Sequence, residues 1–175
     1  MKKGSNYHLN VKIDKLTNSI ENAISGDSFK TEVIPVNEQD IQKIKATKGW
    51  LFNWKSEIGN EEKQVFKLTI KDNPDIIQGL VSLSDNHDHI LVRLIENAPF
   101  NRGKIKLYKG VAGNLFAFSC KISFEKGYEG FVVFYSKTKL IEHYSETLGA
   151  IPSGGLKMIN FPDKANKLLQ KYFNK

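Results

Sequence analysis

Residues 90–150 carry the most informative pattern in the chain, ILVRLIENAPFNRGKIKLYKGVAGNLFAFSCKISFEKGYEGFVVFYSKTKLIEHYSETLGA. The apolar run 90–95 predicts a buried strand, and Pro99, which has no backbone N–H to donate, predicts that its pairing is interrupted. The apolar pattern after the next glycines predicts a helix over about 113–126. Residues 131–135 then form a nearly continuous apolar run, as expected for a strand covered on both faces. A strand–helix–strand order of this kind requires a crossover between parallel strands.

The flanking sequence predicts further strands and helices around this unit. Apolar residues at helical spacing predict a first helix over 14–25, closed by Gly26. Strands are predicted at 29–36, 50–54, 65–71 and 76–83, and a short helix between Asn37 and Gly49. Beyond residue 135 we expect a helix over 138–147, a short strand near 158–159 and a last helix that begins at Pro162. The sum is a single α/β domain (α+β mixed) over residues 1–175, with one mixed, mostly antiparallel sheet and helices on both faces.

The composition is that of a globular protein with an excess of positive charge. Of 175 residues, 40% are hydrophobic and 26% are charged, and the formal net charge is +7. No apolar stretch approaches the roughly 20 residues that span a bilayer, and the basic residues 1–6 are not followed by the apolar run of a secretory signal. A single cysteine, Cys120, suits a reducing compartment, so we expect a cytoplasmic location without membrane contact. The charge fits either a solvated lysine-rich surface or a site for the phosphates of a cofactor or a nucleic acid.

A basic, glycine-containing loop precedes the helix predicted at 113–126. Residues 97–111 contain four basic residues and no acidic one, and Gly110 and Gly113 open the helix. Backbone N–H groups at a helix N-terminus are unpaired and point outward, and glycines allow a phosphate to approach them closely. The spacing matches neither the dinucleotide fingerprint nor the Walker A loop. A tight strand-to-helix turn with incidental lysines explains the loop about as well as a phosphate site does.

The order of strand, proline, basic loop, Gly-x-Ala-Gly-x-Leu and helix resembles the core of the GNAT superfamily of N-acetyltransferases. In that family a Gln/Arg-x-x-Gly-x-Gly/Ala turn at the start of the helix holds the pyrophosphate of acetyl-CoA. Gly110-Val111-Ala112 is similar to the second half of that turn and Arg102-Gly103-Lys104 to its basic start, although residues 105–109 separate them and Leu107 stands at the Gln/Arg position. The resemblance implies contacts of acetyl-CoA with a set of residues in this region: Ile95, Asn97, Arg102, Gly103, Lys104, Lys109, Gly110, Val111, Ala112, Gly113 and Asn114.

A second resemblance to the same family lies near the end of the helix predicted at 138–147. Members commonly place a tyrosine a few residues before Leu-Gly-Phe. Here Tyr144 precedes Leu148-Gly149, and Ala150 replaces the phenylalanine. The resemblance implies that Tyr144 donates a proton to the departing CoA thiolate.

These resemblances predict an enzyme that transfers an acetyl group from acetyl-CoA directly to an amine. The reaction needs a neutral amine, a polarised thioester carbonyl and a proton for the leaving thiolate. In the family, backbone N–H groups beside the interrupted strand polarise the carbonyl, which implies the region of Ile95, Glu96 and Asn97. The Glu96 carboxylate is the candidate base, acting directly or through a water. A solvated carboxylate at a strand end is at least as good an interpretation of it.

The acceptor stays open at this point: a small molecule, a protein or an aminoacyl-tRNA, with an oligomer also allowed. The net positive charge and the lysines of the C-terminal region are also compatible with an alternative function, a nucleic-acid- or ribosome-associated binding module. A protein that binds CoA without catalysis is a third candidate. No metal is expected, because His87 and His89 lack further ligands nearby. Cys120 lies among apolar residues and is expected to be buried rather than nucleophilic.

Overall fold

The computed structural model describes residues 8–17 and 19–173, so residues 1–6, on which part of the leader prediction rests, and Lys175 lie outside the described residues. The strands are β1 (Ser19–Asn22), β2 (Ser28–Pro35), β3 (Gln64–Ile70), β4 (Gly79–Asp85), β5 (Ile90–Asn97), β6 (Tyr108–Lys109), β7 (Val132–Tyr135), β8 (Ile151–Pro152) and β9 (Lys157–Asn160). The α-helices are α1 (Trp54–Ile58), α2 (Val111–Glu125), α3 (Ile141–Leu148) and α4 (Pro162–Phe173). Short 3-10 helices lie at Asp40–Lys43, Ala46–Lys48, Pro99–Asn101 and Thr138–Leu140.

The described strands form one mixed sheet in the order β6-β1-β2-β3-β4-β5-β7-β9-β8. Neighbouring described strands are antiparallel except β5 and β7, which run parallel at the two ends of the α2 crossover. Such a pair needs a long connection because a tight hairpin reverses the chain. The predicted mixed, mostly antiparallel sheet is confirmed, and so is the crossover over residues 90–135.

Apolar side chains cover both faces of this sheet. On one face, Phe116 of α2 packs edge-on against Phe134 of β7 in the larger core, to which α4 also contributes. On the other face, Trp54 of α1 packs in a smaller core that includes Leu80 of β4. Because side chains alternate along a strand, Leu80 and its neighbour Val81 enter opposite cores. The predicted helices on both faces are therefore confirmed.

The helix predicted over 14–25 is wrong. The strand β1 lies within this range and pairs with β2 on one side and β6 on the other. Ile20 is fully buried whereas Ile24 is 89% exposed, so the apolar spacing does not mark one helical face. The Asn22 side chain accepts hydrogen bonds from the N–H groups of Ile24 and Ser25, which closes a hairpin turn into β2. Pairing with distant strands has overridden the local spacing.

The strand predicted at 50–54 is also wrong. Trp54 begins α1, and the Asn53 side chain caps that helix by accepting a hydrogen bond from the Ser56 N–H at 3.3 Å. The N–H groups of Leu51 and Phe52 donate to a carboxylate of β5 rather than to a neighbouring strand. The aromatic run is therefore a loop that a side chain of the sheet holds in place.

Candidate active site

A cleft opens where the two parallel strands separate. Residues 90–92 of β5 pair with 132–134 of β7, after which β5 continues to Asn97 beside β4. The cleft at this separation has a volume of about 480 Å³. Six of the residues predicted for the site line it: Ile95, Glu96, Asn97, Arg102, Gly103 and Lys104. Its remaining walls come from residues 10–12, Leu51, Phe52, Asn101 and Lys106.

Glu96 is buried in the wall of this cleft, with 3% of its surface exposed. Its carboxylate accepts hydrogen bonds from the Leu51 N–H at 2.7 Å, the Phe52 N–H at 3.2 Å and the Trp54 Nε1–H at 2.8 Å. Arg102 lies 3.4 Å from the same carboxylate and supplies the opposite charge. A buried carboxylate requires such partners because burial removes its hydration. Glu96 therefore fixes the 50–54 loop to the end of β5 through these hydrogen bonds. Its role as a base stays a prediction.

Asn97 lines the cleft and carries a buried acceptor atom that is not satisfied within the described part of the chain. Its Oδ1 atom is buried and has no hydrogen-bond partner among the described residues. An unpaired buried carbonyl costs about 1–3 kcal/mol, so a ligand N–H placed here would remove that cost. The cleft wall thus combines this polar residue with the apolar residues Ile95 and Phe52.

Residues 9–17, the N-terminal segment, occupy the β7 side of the same opening. The Leu9 N–H donates to the Tyr135 carbonyl at 2.6 Å, and the Lys137 N–H donates to the Leu9 carbonyl at 3.0 Å. The Ser136 N–H bonds toward β9, so the backbone groups of Tyr135 and Lys137 point toward β5. Leu9 therefore binds the edge of β7 just beyond the point where its pairing with β5 ends.

Two side chains of α3 bind the N-terminal segment. The Tyr144 hydroxyl donates to the Val11 carbonyl at 2.5 Å and accepts from the Val11 N–H at 3.2 Å, and His143 Nε2 accepts from the Ile13 N–H at 2.9 Å. Burial raises the pKa of Tyr144 above its ordinary value of 10, and the hydrogen bond to Val11 only partly opposes this. Tyr144 thus keeps its proton at neutral pH, and its hydroxyl is hydrogen-bonded to the backbone of the N-terminal segment.

The start of α2 is covered by the same segment. The Asp14 carboxylate accepts a hydrogen bond from the Gly110 N–H at 2.9 Å and pairs with Lys106 at 2.8 Å. A Cβ atom added to Gly113 would lie 2.7 Å from the Lys15 carbonyl and 2.2 Å from the Tyr172 hydroxyl. The N-terminus of α2 therefore already binds an anionic group, the Asp14 carboxylate of the same chain.

Asn114 and Lys109 are also used within the fold. The Asn114 side chain donates to the carbonyls of Gly110 at 2.7 Å and of Ser19 at 3.3 Å, which fastens α2 to β1. Lys109 belongs to β6, where it stands opposite Glu21 of β1. Neither residue belongs to the set that lines the 480 Å³ cleft.

The structure thus divides the predicted cofactor residues into two groups. One group lines the cleft beside β5, and it includes Ile95, Asn97 and the 102–104 loop. The other group comprises Gly110, Val111, Ala112, Gly113 and Asn114, all buried: Gly110, Gly113 and Asn114 contact the N-terminal segment, and Val111 and Ala112 belong to the larger core. Lys109 belongs to neither group. Sequence reasoning missed the segment because its apolar spacing resembles that of a helix, and it assigned no role to Asp14.

Two other candidates contribute no chemistry to this region. Burial raises the pKa of the Cys120 thiol to about 12, which leaves it protonated, as expected for a core residue. His89 contacts Asp88 in the exposed β4–β5 hairpin.

Among the described residues, no group of three or more potential metal ligands comes together. No helix in the part of the chain that the structure describes is long and apolar enough to cross a membrane.

Acidification should loosen the N-terminal segment through His143. Burial, and then repulsion from Lys12, lowers the pKa of His143 below 6.5, while Glu146 opposes the shift. The Ile13 N–H requires an unprotonated Nε2 atom, so the contact is intact above pH 6.5 and is lost as the pH falls through the lowered pKa of His143. We expect the hydrogen-exchange protection factor of the Ile13 amide to fall as the pH is lowered from neutral through this pKa. In His143→Gln, which keeps an acceptor but does not titrate, the factor should stay constant; a constant factor in the unmodified protein would contradict the prediction.

No protein-family model and no curated protein matches the chain. Solved structures do. A chimera of spermidine N-acetyltransferase SpeG from Vibrio cholerae and hSSAT matches with a TM-score of 0.55 at 15% identity, over 78% of this chain and 98% of the other. The N-acyl amino acid synthase FeeM from uncultured soil microbes matches with a TM-score of 0.51 at 12% identity, over 80% and 95%. A mutant AtaT toxin bound to acetyl-CoA and the C-terminus of the antitoxin AtaR matches with a TM-score of 0.52 at 11% identity, over 79% and 98%. At such identities the likeness establishes architecture, and this chain has the fold of the GNAT-type N-acetyltransferases.

Proposed function

We propose that the protein is an acyltransferase that uses acetyl-CoA to acetylate an amine. The observation that supports this most directly is the cleft of about 480 Å³ at the separation of β5 and β7, lined by Ile95, Glu96, Asn97 and the 102–104 loop. The solved structures with this fold include spermidine N-acetyltransferases, one of them in complex with CoA and spermine. The single cysteine favours a reducing compartment, and we place the activity in the cytoplasm.

The residues of the cleft fit the cofactor chemically. The buried, unpaired Asn97 Oδ1 suits an N–H donor such as the amides of the pantetheine arm. Arg102, Lys104 and Lys106 supply positive charge for phosphates at the same opening. Once Asp14 has left the Gly110 N–H, the N–H groups of residues 110–113 at the start of α2 would join them, together with the side chains of Lys109 and Asn114. When bound, acetyl-CoA supplies an acyl group activated as a thioester.

Two side chains provide the acid and the base of the proposed reaction. Tyr144 is protonated at neutral pH, as a tyrosine ordinarily is, and burial raises its pKa further, so it holds a proton for a leaving thiolate. Glu96 lines the cleft and is the candidate to take a proton from the amine, directly or through a water. The N–H groups of Ile95, Glu96 and Asn97 are the candidates for carbonyl polarisation.

The acceptor is an amine whose chemical class stays open. Spermidine, the substrate named for the SpeG structures, is a polycation, whereas the cleft of this chain is lined by Lys12, Arg102, Lys104 and Lys106 with Glu96 as the one acidic group. A small molecule, a protein and an aminoacyl-tRNA should therefore be compared with polyamines as acceptors. Release of the free CoA thiol provides one assay for all of them. CoA binding without thiol release for any amine would indicate a binding protein without catalysis.

Calorimetric titration with CoA tests the cofactor proposal directly. We expect saturable binding that weakens by roughly tenfold in Lys104→Glu, because the exposed side chain would repel the phosphates. The difference in CoA affinity between Lys104→Glu and the unmodified protein should become smaller at high salt, because salt screens the repulsion. Lys71→Glu, the same charge reversal at an exposed position away from the cleft, should bind as the unmodified protein does. Absence of CoA binding to the unmodified protein would refute the proposed function.

A further inference from the structure

The N-terminal segment makes its contacts with the groups that an acetyltransferase of this fold would have to present to its cofactor. We infer that residues 9–17 are an internal occupant of the cofactor cleft, and that this segment and CoA exclude each other. This inference rests on the proposed function, since it concerns the same cleft. Two independent sets of contacts support it, one at each end of the segment.

The first set blocks the edge of β7 and the proposed acid. Leu9 pairs with Tyr135 and Lys137 in the gap that β5 leaves, as an added strand residue would. Both hydrogen bonds of the Tyr144 hydroxyl go to the backbone of Val11. Since a hydroxyl has one proton to donate, Tyr144 protonates a leaving group only after Val11 has moved.

The second set blocks the start of α2. The Asp14 carboxylate binds the Gly110 N–H and Lys106, which are a backbone donor and a cation of the kind that a phosphate group takes. The neighbouring Lys15 carbonyl accepts a hydrogen bond from Tyr172 of α4 at 3.0 Å and closes over Gly113. A diphosphate reaches these amides only when Asp14 has left them.

The segment is built to detach more easily than the strands around it. Within residues 9–17 the sheet structure is a single bridge, between Leu9 and Ser136. Leu9 and Ile13 are its buried apolar anchors, Val11 and Leu16 pack against the same core while partly exposed, and Asn10 and Lys12 are exposed. Segments that lack a continuous hydrogen-bonded ladder and keep part of their surface in solvent open at a lower free-energy cost than core strands do. The cleft beside the segment already admits part of a ligand, so binding can begin there and displace the segment.

A reversible disulfide provides the test. Leu9 and Ser136 face each other in a parallel bridge between two neighbouring segments of the chain, at a Cα separation of about 5 Å that falls in the range of disulfide geometry. Leu9→Cys with Ser136→Cys should therefore lock the segment when oxidised and free it when reduced, while Cys120 stays buried and unreactive. We expect CoA, measured by calorimetry, to bind at least about tenfold more weakly to the oxidised than to the reduced protein. Leu9→Cys alone, treated with the same oxidant, should show no difference.

The outcomes separate this inference from the proposed function. Equal CoA affinity of the oxidised and reduced proteins would overturn the inference and leave the proposed function intact. Failure of every form to bind CoA would refute the proposed function, and the inference with it. Hydrogen exchange of the unmodified protein gives a second test that needs no variant: the amides of Leu9, Val11 and Ile13 should exchange faster when CoA is added. Slower or unchanged exchange at a saturating CoA concentration would contradict mutual exclusion.

Discussion

Replacing Tyr144, the proposed general acid, with phenylalanine should lower kcat of the proposed acetyl transfer by about 100-fold, because removal of a general acid typically costs two to four orders of magnitude. The same change should strengthen CoA binding, since it removes both hydrogen bonds that hold Val11 over the cleft. A lower rate with a higher affinity is an unusual pair of effects. Steady-state kinetics and calorimetry on the same preparation measure both quantities.

Tyr172→Phe is the matched control for this prediction. Tyr172 is also a buried tyrosine whose pKa burial raises, and its hydroxyl also binds the backbone of the N-terminal segment, at Lys15. It lies on α4 and has no proposed role in proton transfer, so kcat should stay within about threefold of the original value. An unchanged kcat in Tyr144→Phe would show that Tyr144 is not the general acid. An equal loss in both variants would show that the effect comes from the segment.

The unit from β5 to α3 could be predicted from the sequence because its signals are local. Buried parallel strands are continuous apolar runs, the glycines mark the start of α2, and Gly149 ends α3 in the left-handed conformation with φ of 70°. The placement of Ile95, Glu96, Asn97 and the 102–104 loop at one strand end follows from this order. Six predicted residues accordingly meet in one cleft.

The occupation of the site could not be predicted, because it depends on contacts between residues far apart in the chain. Asp14 reaches Gly110 across 96 positions and Val11 reaches Tyr144 across 133. Apolar spacing over residues 14–25 is compatible with a helix or a strand, and only the pairing of β1 with β2 and β6 selects the strand. The sequence therefore locates the cleft without showing that a segment lies in it.

Glu96 shows the same limit for a single side chain. An acidic residue at the end of an apolar strand resembles a solvated strand end, yet it is 3% exposed. Its donors are N–H groups more than 40 positions earlier in the chain, at Leu51, Phe52 and Trp54. Two of these donors are backbone N–H groups, which residue identity does not reveal, and the third is the side chain of Trp54, 42 positions away, so their acceptor could not be recognised. The loop that these donors fix also forms part of the cleft wall.

Replacing Glu96 with alanine should destabilise the protein by about 3–5 kcal/mol, because it removes the acceptor of three N–H groups, of which the Trp54 Nε1–H is buried, and leaves Arg102 without its carboxylate partner. For a domain of this size, that loss corresponds to a decrease in Tm of roughly 10 °C. Differential scanning calorimetry measures it. Glu61→Ala, which removes an exposed carboxylate, should stay within about 0.5 kcal/mol. A stability close to that of the original protein would show that the hydrogen bonds of Glu96 contribute little to the fold.

Glu96→Gln separates the structural role from the chemical one. The amide keeps one acceptor oxygen of nearly the same shape, so the variant should fold with a smaller loss of stability than the alanine variant. If Glu96 also serves as the base, kcat of the folded glutamine variant should fall by about 100-fold, because an amide does not take up the proton of the amine. If the carboxylate only fixes the 50–54 loop, kcat should follow the folded fraction and its pH profile should match that of the original protein. Measuring kcat across pH at a temperature where both proteins are fully folded therefore decides whether this buried carboxylate reacts or only holds the cleft wall.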